Sequence, residues 1–249
     1  MGGIELKSPS ELEIMRQAGR IVSGLLKLME KEAKPGVSTQ KLDEIAEKFV
    51  RSQGAEPAFK GYYGYPATIC ASINDEVVHG IPGKRILNDG DIIGVDVGVI
   101  LKGYFSDAAR TFAIGTVDAE SQKLIRVTRE AMMRGIAQAV EGNRISDISA
   151  AVQAYAEKEG FSVVREYVGH GIGRNLHEDP QVPNYGKPGE GPKLVTGMAL
   201  AIEPMINAGS HEVKVLADGW TVVTRDGKRS AHFEQTIFIT KTKPEIVTE

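Results

Sequence analysis

Carboxylate side chains at the ends of apolar runs stand out in this sequence as residues that could do chemistry. Asp96 ends the run Ile-Ile-Gly-Val-Asp, and Glu203 ends the run Ala-Leu-Ala-Ile-Glu. An ionised carboxylate in an apolar strand is costly to desolvate unless it is paired or bound to a cation. These two acids therefore predict a site that holds a positively charged partner.

Two further acids can be placed near the first two. A hairpin turn at residues 101 and 102 would set Asp96 directly opposite Asp107, and a turn at residues 102 and 103 would make them diagonal neighbours on the same face. Glu234 lies on the last predicted strand, as Asp107 lies on its own. Carboxylates so close together repel each other unless one is protonated or a metal lies between them. Four of them predict one or two divalent cations such as Mn²⁺, Fe²⁺, Co²⁺ or Mg²⁺, and an imidazole ligand would favour the transition metals.

Three of the five histidines have a setting that suggests function. His79 and His170 both stand in a His-Gly-Ile triplet, and His177 follows seven residues after the second. His211 and His232 lack such support and are interpreted as ordinary surface or hydrogen-bonded residues. On composition alone, Cys70 is expected to be a small buried hydrophobic residue.

The elements that must position these residues follow from capping signals and apolar spacing. Ser8-Pro9-Ser10-Glu11 combines an N-cap, a proline at the first helical position and a capping-box glutamate. Apolar residues at helical spacing then continue to the stop at Lys34-Pro35-Gly36. Further helices are predicted over residues 38–54, about 121–140 and 146–159, and strands over residues 92–97, 104–114, 163–168, 198–206 and 233–240.

The order of two helices followed by strands occurs twice, which indicates an internal repeat. Residues 36–54 match residues 142–160 in their glycine and apolar pattern, and residues 87–96 resemble residues 194–203. The second match aligns Asp96 with Glu203. We therefore predict one domain made of two α+β halves, about 8–115 and 120–241, whose equivalent strands face a shared central cleft.

Composition excludes several classes of protein. The chain has 249 residues, a net charge of -3 and one cysteine. It has no global basic field for nucleic acid or a membrane surface, no internal disulfide, no recognisable signal peptide and no apolar run long enough for a membrane span. A soluble cytoplasmic protein is the expectation.

The motifs taken together resemble the type I methionine aminopeptidases, and the resemblance extends from about Ser8 to Thr240. It rests on six segments: Ser72-Ile73-Asn74, His79-Gly80-Ile81-Pro82, Val168 to Arg174, His177 to Pro180, Ile202-Glu203-Pro204, and Asp218 to Thr221. It implies a pita-bread fold: a single α+β catalytic domain over residues 1–249, with two pseudo-twofold-related α-α-β halves around a central antiparallel sheet.

The resemblance also implies the site residues and their roles. Five metal ligands are implied, of which Asp107 and Glu234 bridge two ions: Asp96, Asp107, His170, Glu203 and Glu234. His79 and His177 would be catalytic without binding metal, and Glu203 would also move a proton. The pocket for the methionine side chain would be lined by Tyr62, Tyr65, Cys70 and Trp220.

The implied reaction is hydrolytic removal of the initiator methionine from nascent chains whose second residue is small, by a hydroxide held between two divalent ions. Co, Mn, Fe, Zn or Ni are the candidate metals, and a monovalent cation near Glu76 is a further option. The expected partners are the nascent peptide and, transiently, the ribosome, with no nucleic-acid recognition, no membrane contact and a monomeric chain. Leu176 and Gly98 depart from common family residues, and Leu176 predicts a softer preference at the methionine pocket.

Four other interpretations compete with this one. A proline-cleaving relative of the same fold would usually carry an extra N-terminal domain. A binding module derived from the fold would have lost metal ligands, and a purely structural core would leave the matched acids and histidines unexplained. A type II enzyme needs an inserted helical subdomain, for which the stretch between His177 and Glu203 is too short.

Overall fold

The computed structural model describes residues 3–249 and contains four long helices and fifteen mostly short strands. The helices are α1 (Pro9–Glu32), α2 (Thr39–Ser52), α3 (Ala119–Gln138) and α4 (Ile145–Lys158), with a 3-10 turn at Tyr62–Gly64. The strands of the first half are β1 (Glu56–Pro57), β2 (Ile69–Ile73), β3 (Glu76–Val78), β4 (Ile92–Leu101) and β5 (Tyr104–Ala113). Those of the second half are β6 (Ser162–Val163), β7 (Gly169–Gly171), β8 (Glu178–Val182), β9 (Ala199–Ile202), β10 (Met205–Asn207), β11 (Val213–Val215), β12 (Val222–Thr224), β13 (Ser230–His232), β14 (Gln235–Phe238) and β15 (Glu245–Ile246). None of the helices over this range is long and apolar enough to cross a membrane.

The predicted helix starts are confirmed by their caps. Ser8 caps α1, and its side chain and that of Glu11 form the reciprocal capping box, with Pro9 at the first helical position. The Ser38 hydroxyl accepts from the backbone N–H of Lys41 at the start of α2. Helix α1 packs on β4 and β5 and α2 on β1 and β2, and their apolar faces join the largest buried cluster of the first half.

The β4–β5 hairpin decides between the two predicted registers. Leu101 pairs with Tyr104, so the turn is at Lys102-Gly103 and both turn residues have positive φ, as a two-residue hairpin of this kind requires. Asp96 pairs with Ala109 and Asp107 with Gly98. The two acids are therefore diagonal neighbours rather than directly opposed.

The strands form four hydrogen-bonded sheets, where the sequence predicted one central sheet. The larger two are β1-β4-β2 with β5 added to β4, and β15-β14-β9-β7-β8. They meet where Ala109 and Glu234 exchange backbone hydrogen bonds, with the Glu234 N–H 2.9 Å from the Ala109 carbonyl oxygen. These backbone hydrogen bonds between Ala109 and Glu234 thus join the two halves next to the acidic residues.

Two of the regular strands are shorter in the structure than the apolar pattern of the sequence predicted. The predicted strand 163–168 is regular only at Ser162–Val163, and the predicted strand 198–206 divides into β9 and β10. The break follows Glu203, where Pro204 has no N–H to continue a ladder. The interruption leaves Glu203 at the end of a strand, beside Glu234.

The C-terminal segment closes the fold against α1. The backbone N–H of Val247 donates to the Thr236 carbonyl oxygen, and the carbonyl of Val247 lies where a Cβ on Gly19 would come within 2.2 Å of its oxygen. Only a residue without a side chain allows this approach. Gly24, on the same helix, has a ring carbon of Phe49 at 3.2 Å as its nearest neighbour.

We expect Gly19→Ala to unfold at lower urea concentration than Gly24→Ala. Alanine stabilises a helix interior by about 1 kcal/mol over glycine at either position, but at Gly19 the added methyl displaces main chain, which typically costs about 1–3 kcal/mol. Equilibrium unfolding followed by circular dichroism, with both variants measured beside the parent chain, checks the difference. Equal midpoints for the two variants would show that residues 245–248 do not dock tightly on α1.

Candidate metal centre

Three of the predicted ligands form the centre of the site. Asp107, His170 and Glu234 each offer one ligand atom, and these atoms all lie within 4.8 Å of one another. Each side chain comes from a different segment: β5, β7 and the two-residue link between β13 and β14. All three residues are buried. Such a cluster has the donor chemistry of a divalent metal site.

His170 is oriented so that one ring nitrogen faces the acids. Its Nδ1 lies 2.9 Å from the Gly171 carbonyl oxygen, which can only accept, so Nδ1 carries the proton. The other nitrogen, Nε2, lies 3.4 Å from Glu203 Oε1 and 3.7 Å from Asp107 Oδ2. This tautomer leaves the Nε2 lone pair free for a cation, and a backbone carbonyl is a usual partner for the second nitrogen of a ligating histidine.

Asp96 shows most directly that these acids require a positively charged partner. Its Oδ1 atom is buried and has no hydrogen-bond partner among the described residues. Its cross-strand neighbour on β2 is Cys70, which is also buried. A buried carboxylate oxygen without a partner is energetically unfavourable, so the donor set fits a bound metal ion.

The electrostatics of the acids point the same way. Burial, together with repulsion from neighbouring carboxylates, raises the pKa of Asp96 and of Glu203 to about 8. The pKa of Asp107 is raised to about 7, mainly by burial, although Thr236 donates a hydrogen bond to its side chain. The pKa of Glu234 lies well above its usual range for the same reasons. A divalent cation would reverse these shifts because it favours the ionised forms.

One residue of this cluster was wrongly interpreted from the sequence as ordinary. His232 is buried, its Nε2 lies 3.7 Å from Glu203 Oε2, and that nitrogen has no hydrogen-bond partner in residues 3–249. Its backbone N–H donates to the Thr111 hydroxyl, and that hydroxyl donates to its carbonyl oxygen. The available signal was its position two residues before Glu234, which places both on one side of an extended chain.

All of the predicted site residues line one cavity of about 210 Å³. The five predicted metal ligands form the floor of this cavity. Its walls are formed by the other predicted site residues: His79, His177, Tyr62, Tyr65, Cys70 and Trp220. Phe59 and Tyr63 also line this cavity but were not predicted as site residues. Nothing in the sequence around them distinguishes them from ordinary apolar or loop residues. Leu176, the departure from the family residue, is buried in the same wall.

His79 is held by a tight crossing of main chain. Its own φ is +60°, and a Cβ on Gly80 would come within 2.4 Å of the Ala71 carbonyl oxygen. The Tyr65 hydroxyl lies 3.0 Å from the Gly80 carbonyl oxygen, to which it can donate. Burial lowers the pKa of His79 to about 4, so this imidazole is neutral near pH 7.

His177 lies at the mouth of the cavity, on a segment that is held in place by the contacts of its neighbour Glu178. The Lys7 ammonium and the Glu178 carboxylate form a buried ion pair at 2.5 Å, and Glu178 also accepts from the backbone N–H of Asn175. The His177 ring lies 4.4 Å from that of His170, measured between centroids. Its Nδ1 is 2.9 Å from the Tyr62 hydroxyl.

Comparison with known proteins gives a uniform result. A profile of metallopeptidase family M24 matches residues 13–241. The chain is 57% identical to methionine aminopeptidase 1 of Bacillus subtilis over 97% of its own length and 98% of the relative's. It is 55% identical to a methionine aminopeptidase of Clostridium perfringens, with 98% of each chain covered. A crystal structure of methionine aminopeptidase from Thermotoga maritima superposes with a TM-score of 0.98 at 46% identity, covering 99% of this chain and all of that one.

The same fold occurs in more distant proteins. The prolidase from Pyrococcus horikoshii superposes with a TM-score of 0.81 at 22% identity, and the match covers 98% of this chain but 63% of that one. At this identity the likeness concerns the fold alone. The pita-bread α+β fold predicted from the sequence is therefore confirmed.

We expect the metal-free protein to lose stability as pH rises from about 6 to 8. Unfolded carboxyl groups titrate near pH 4, whereas Asp96, Asp107 and Glu203 in the folded chain titrate near 7 to 8. Between these values the folded chain keeps protons that the unfolded chain has released, so raising the pH favours unfolding. One such group corresponds to about 1.4 kcal/mol per pH unit.

Thermal unfolding at about pH 6, 7 and 8, in EDTA and in Mn²⁺, measures this dependence. Mn²⁺ should raise the midpoint most at pH 8, where the acids give up their protons most readily. Asp96→Asn should flatten the slope seen in EDTA, while Asp89→Asn on an exposed turn serves as the control. A midpoint that stays constant over this range in EDTA would contradict the account of the buried acids.

Proposed function

This chain belongs to metallopeptidase family M24, among the methionine aminopeptidases, and from that membership we propose how its acids and histidines act. The enzyme removes N-terminal methionine from peptides and uses a divalent metal. We propose that it acts on chains whose second residue is small and that it holds two metal ions. The whole chain would serve as one catalytic domain built from halves at about 8–115 and 120–241.

The observation that carries this proposal is the convergence of four carboxylates and one imidazole on the floor of a single cavity. Asp107 and Glu234 lie at the junction of the two sheets, at the centre of the acidic cluster, and would help to hold both ions. Asp96 would bind one ion, and His170 with Glu203 would complete the other. Two divalent cations would neutralise the four acids, whereas one would leave excess negative charge in a buried site.

Divalent cations would supply Lewis acidity and lower the pKa of a water molecule. Glu203, a carboxylate on the cavity floor beside the imidazoles of His170 and His232, would accept a proton. His177, at the cavity mouth, would donate a hydrogen bond to the scissile carbonyl oxygen as negative charge develops on it. His79 would position the amide from the opposite wall.

The apolar wall of the cavity supports recognition of a methionine side chain. Tyr65 and Trp220 meet edge to face with ring centroids 5.1 Å apart, and Cys70 lies beside them. A flexible thioether makes favourable contacts with such rings. The metal identity stays a proposal among Co, Mn, Fe, Zn and Ni, as do the monovalent cation near Glu76, the ribosome contact and the monomeric state.

Cleavage of Xaa-Pro peptides is the second candidate function, because prolidases share the fold. The comparison favours the first candidate, since identity is 57% to a methionine aminopeptidase and 22% to the prolidase. Faster cleavage of Ala-Pro than of Met-Ala would reverse this assignment.

We expect His79→Ala to keep its metal and to lose turnover. A group that positions the substrate or assists proton transfer typically contributes about 10²–10⁴-fold to the rate. Metal content by elemental analysis and release of methionine from Met-Ala-Ser measure the two properties on the same sample. Glu234→Gln should lose metal, and His211→Ala, outside the cavity, should change neither. Loss of metal from His79→Ala would make His79 a ligand and would overturn the proposed ligand set.

We expect methionine release only before small residues. A narrow space beyond the acids would accept Gly, Ala or Ser at the second position and exclude Leu, Lys or Phe, because steric clash outweighs the gain from apolar contact. Rates of methionine release from a Met-Xaa-Ser series, compared as kcat/KM, test this. Equal values for Met-Ala-Ser and Met-Leu-Ser would reject the steric filter.

A further inference from the structure

Tyr62 has a polar contact that its proposed place in the methionine pocket does not explain. The wall of an apolar pocket needs only the ring, and phenylalanine would serve equally well. In this structure the Tyr62 hydroxyl lies 2.9 Å from Nδ1 of His177. The planes of the two rings are tilted by 52°, with centroids 5.5 Å apart. Tyr62 therefore touches the catalytic histidine as well as the cavity.

The backbone at His177 is fixed, so the orientation of its ring depends on side-chain contacts. The neighbouring Glu178 is held in its buried ion pair with Lys7, and Leu176 on the other side is buried. Within residues 3–249, the Tyr62 hydroxyl is the only hydrogen-bond partner recorded for the His177 ring. His177 is exposed at the cavity mouth and packs against the His170 ring with centroids 4.4 Å apart, and the Tyr62 hydroxyl supplies the polar contact on its Nδ1 side.

The chemistry of the pair gives the hydrogen bond a direction. A neutral imidazole carries its proton on one nitrogen and a lone pair on the other. A phenol O–H is a stronger donor than a neutral imidazole N–H, and an imidazole nitrogen is a stronger acceptor than a phenol oxygen, so donation by Tyr62 is the more favourable form of this 2.9 Å contact. If Tyr62 donates, both groups are satisfied, and the proton of His177 resides on Nε2.

We propose that Tyr62 is a positioning residue whose hydroxyl donates to His177 Nδ1 and thereby presents Nε2–H to the substrate. This inference rests on the proposed function, because only a donor at Nε2 can stabilise negative charge developing on a carbonyl oxygen. The other tautomer would present a lone pair there and repel that charge. Tyr62 thus acts through His177 rather than on the reacting atoms.

Nitrogen-15 NMR of the Zn²⁺-loaded protein, labelled at histidine, reads the tautomer without turnover. The parent chain should show His177 protonated at Nε2, with His177→Gln used to identify its signals. Tyr62→Phe should show a mixture of tautomers, and Tyr185→Phe, which removes an exposed hydroxyl elsewhere, should match the parent. A parent spectrum with the proton on Nδ1 would overturn the proposal, whatever the variants do.

Kinetics on Met-Ala-Ser with Mn²⁺ test the consequence. Tyr62→Phe should lower kcat by about 10-fold, as the loss of one well-placed polar contact typically does, and should change KM by less than about threefold. Unchanged kcat, or a raised KM alone, would make Tyr62 a pocket wall only and overturn the proposal. Failure of the parent chain to release methionine would instead refute the proposed function, and the NMR result would still decide the tautomer.

Discussion

Mutual repulsion among buried carboxylates is the interaction on which the rest of this structure depends. Asp96, Asp107, Glu203 and Glu234 share one cavity floor, and each has a raised pKa. Such a cluster lowers the stability of the fold unless protons or cations neutralise it. The surrounding protein supplies only limited compensation, such as the hydrogen bond from Thr236 to Asp107. The fold is thus built to be completed by metal.

The location of the acids explains how a modest fold can hold them together. They lie where the two large sheets meet, and the backbones of Ala109 and Glu234 are hydrogen-bonded across that junction. Thr111 and His232 form a second link of the same kind nearby. Hydrogen-bonded strands move less than loops do. The predicted metal ligands are therefore held in place before any ion binds. The same junction connects metal binding to the stability of both halves.

Around this rigid floor, the groups proposed to contact substrate are held by contacts of a different kind. His79 sits at a positive φ beside a close crossing of main chain, and Tyr65 bonds the following residue. His177 is fixed behind by the Lys7–Glu178 ion pair and in front by Tyr62. Backbone contacts and the ion pair thus set the position of the two histidines, and the Tyr62 hydroxyl orients the ring of His177. Catalysis that depends on the placement of side chains beside the substrate requires them to be held this firmly.

The sequence by itself determined the helix caps at Ser8 and Ser38, the family and the acids of the site, because capping and charge burial are local or compositional signals. It left open the register of the β4–β5 hairpin, since either turn kept the acids on one face. Only the tertiary structure decided the burial of His232 beside Glu203 and the contact between Tyr62 and His177. Each of these pairs residues far apart in the chain or depends on which face of a short strand is covered. Local patterns carry no record of such contacts, because packing between the two halves creates them.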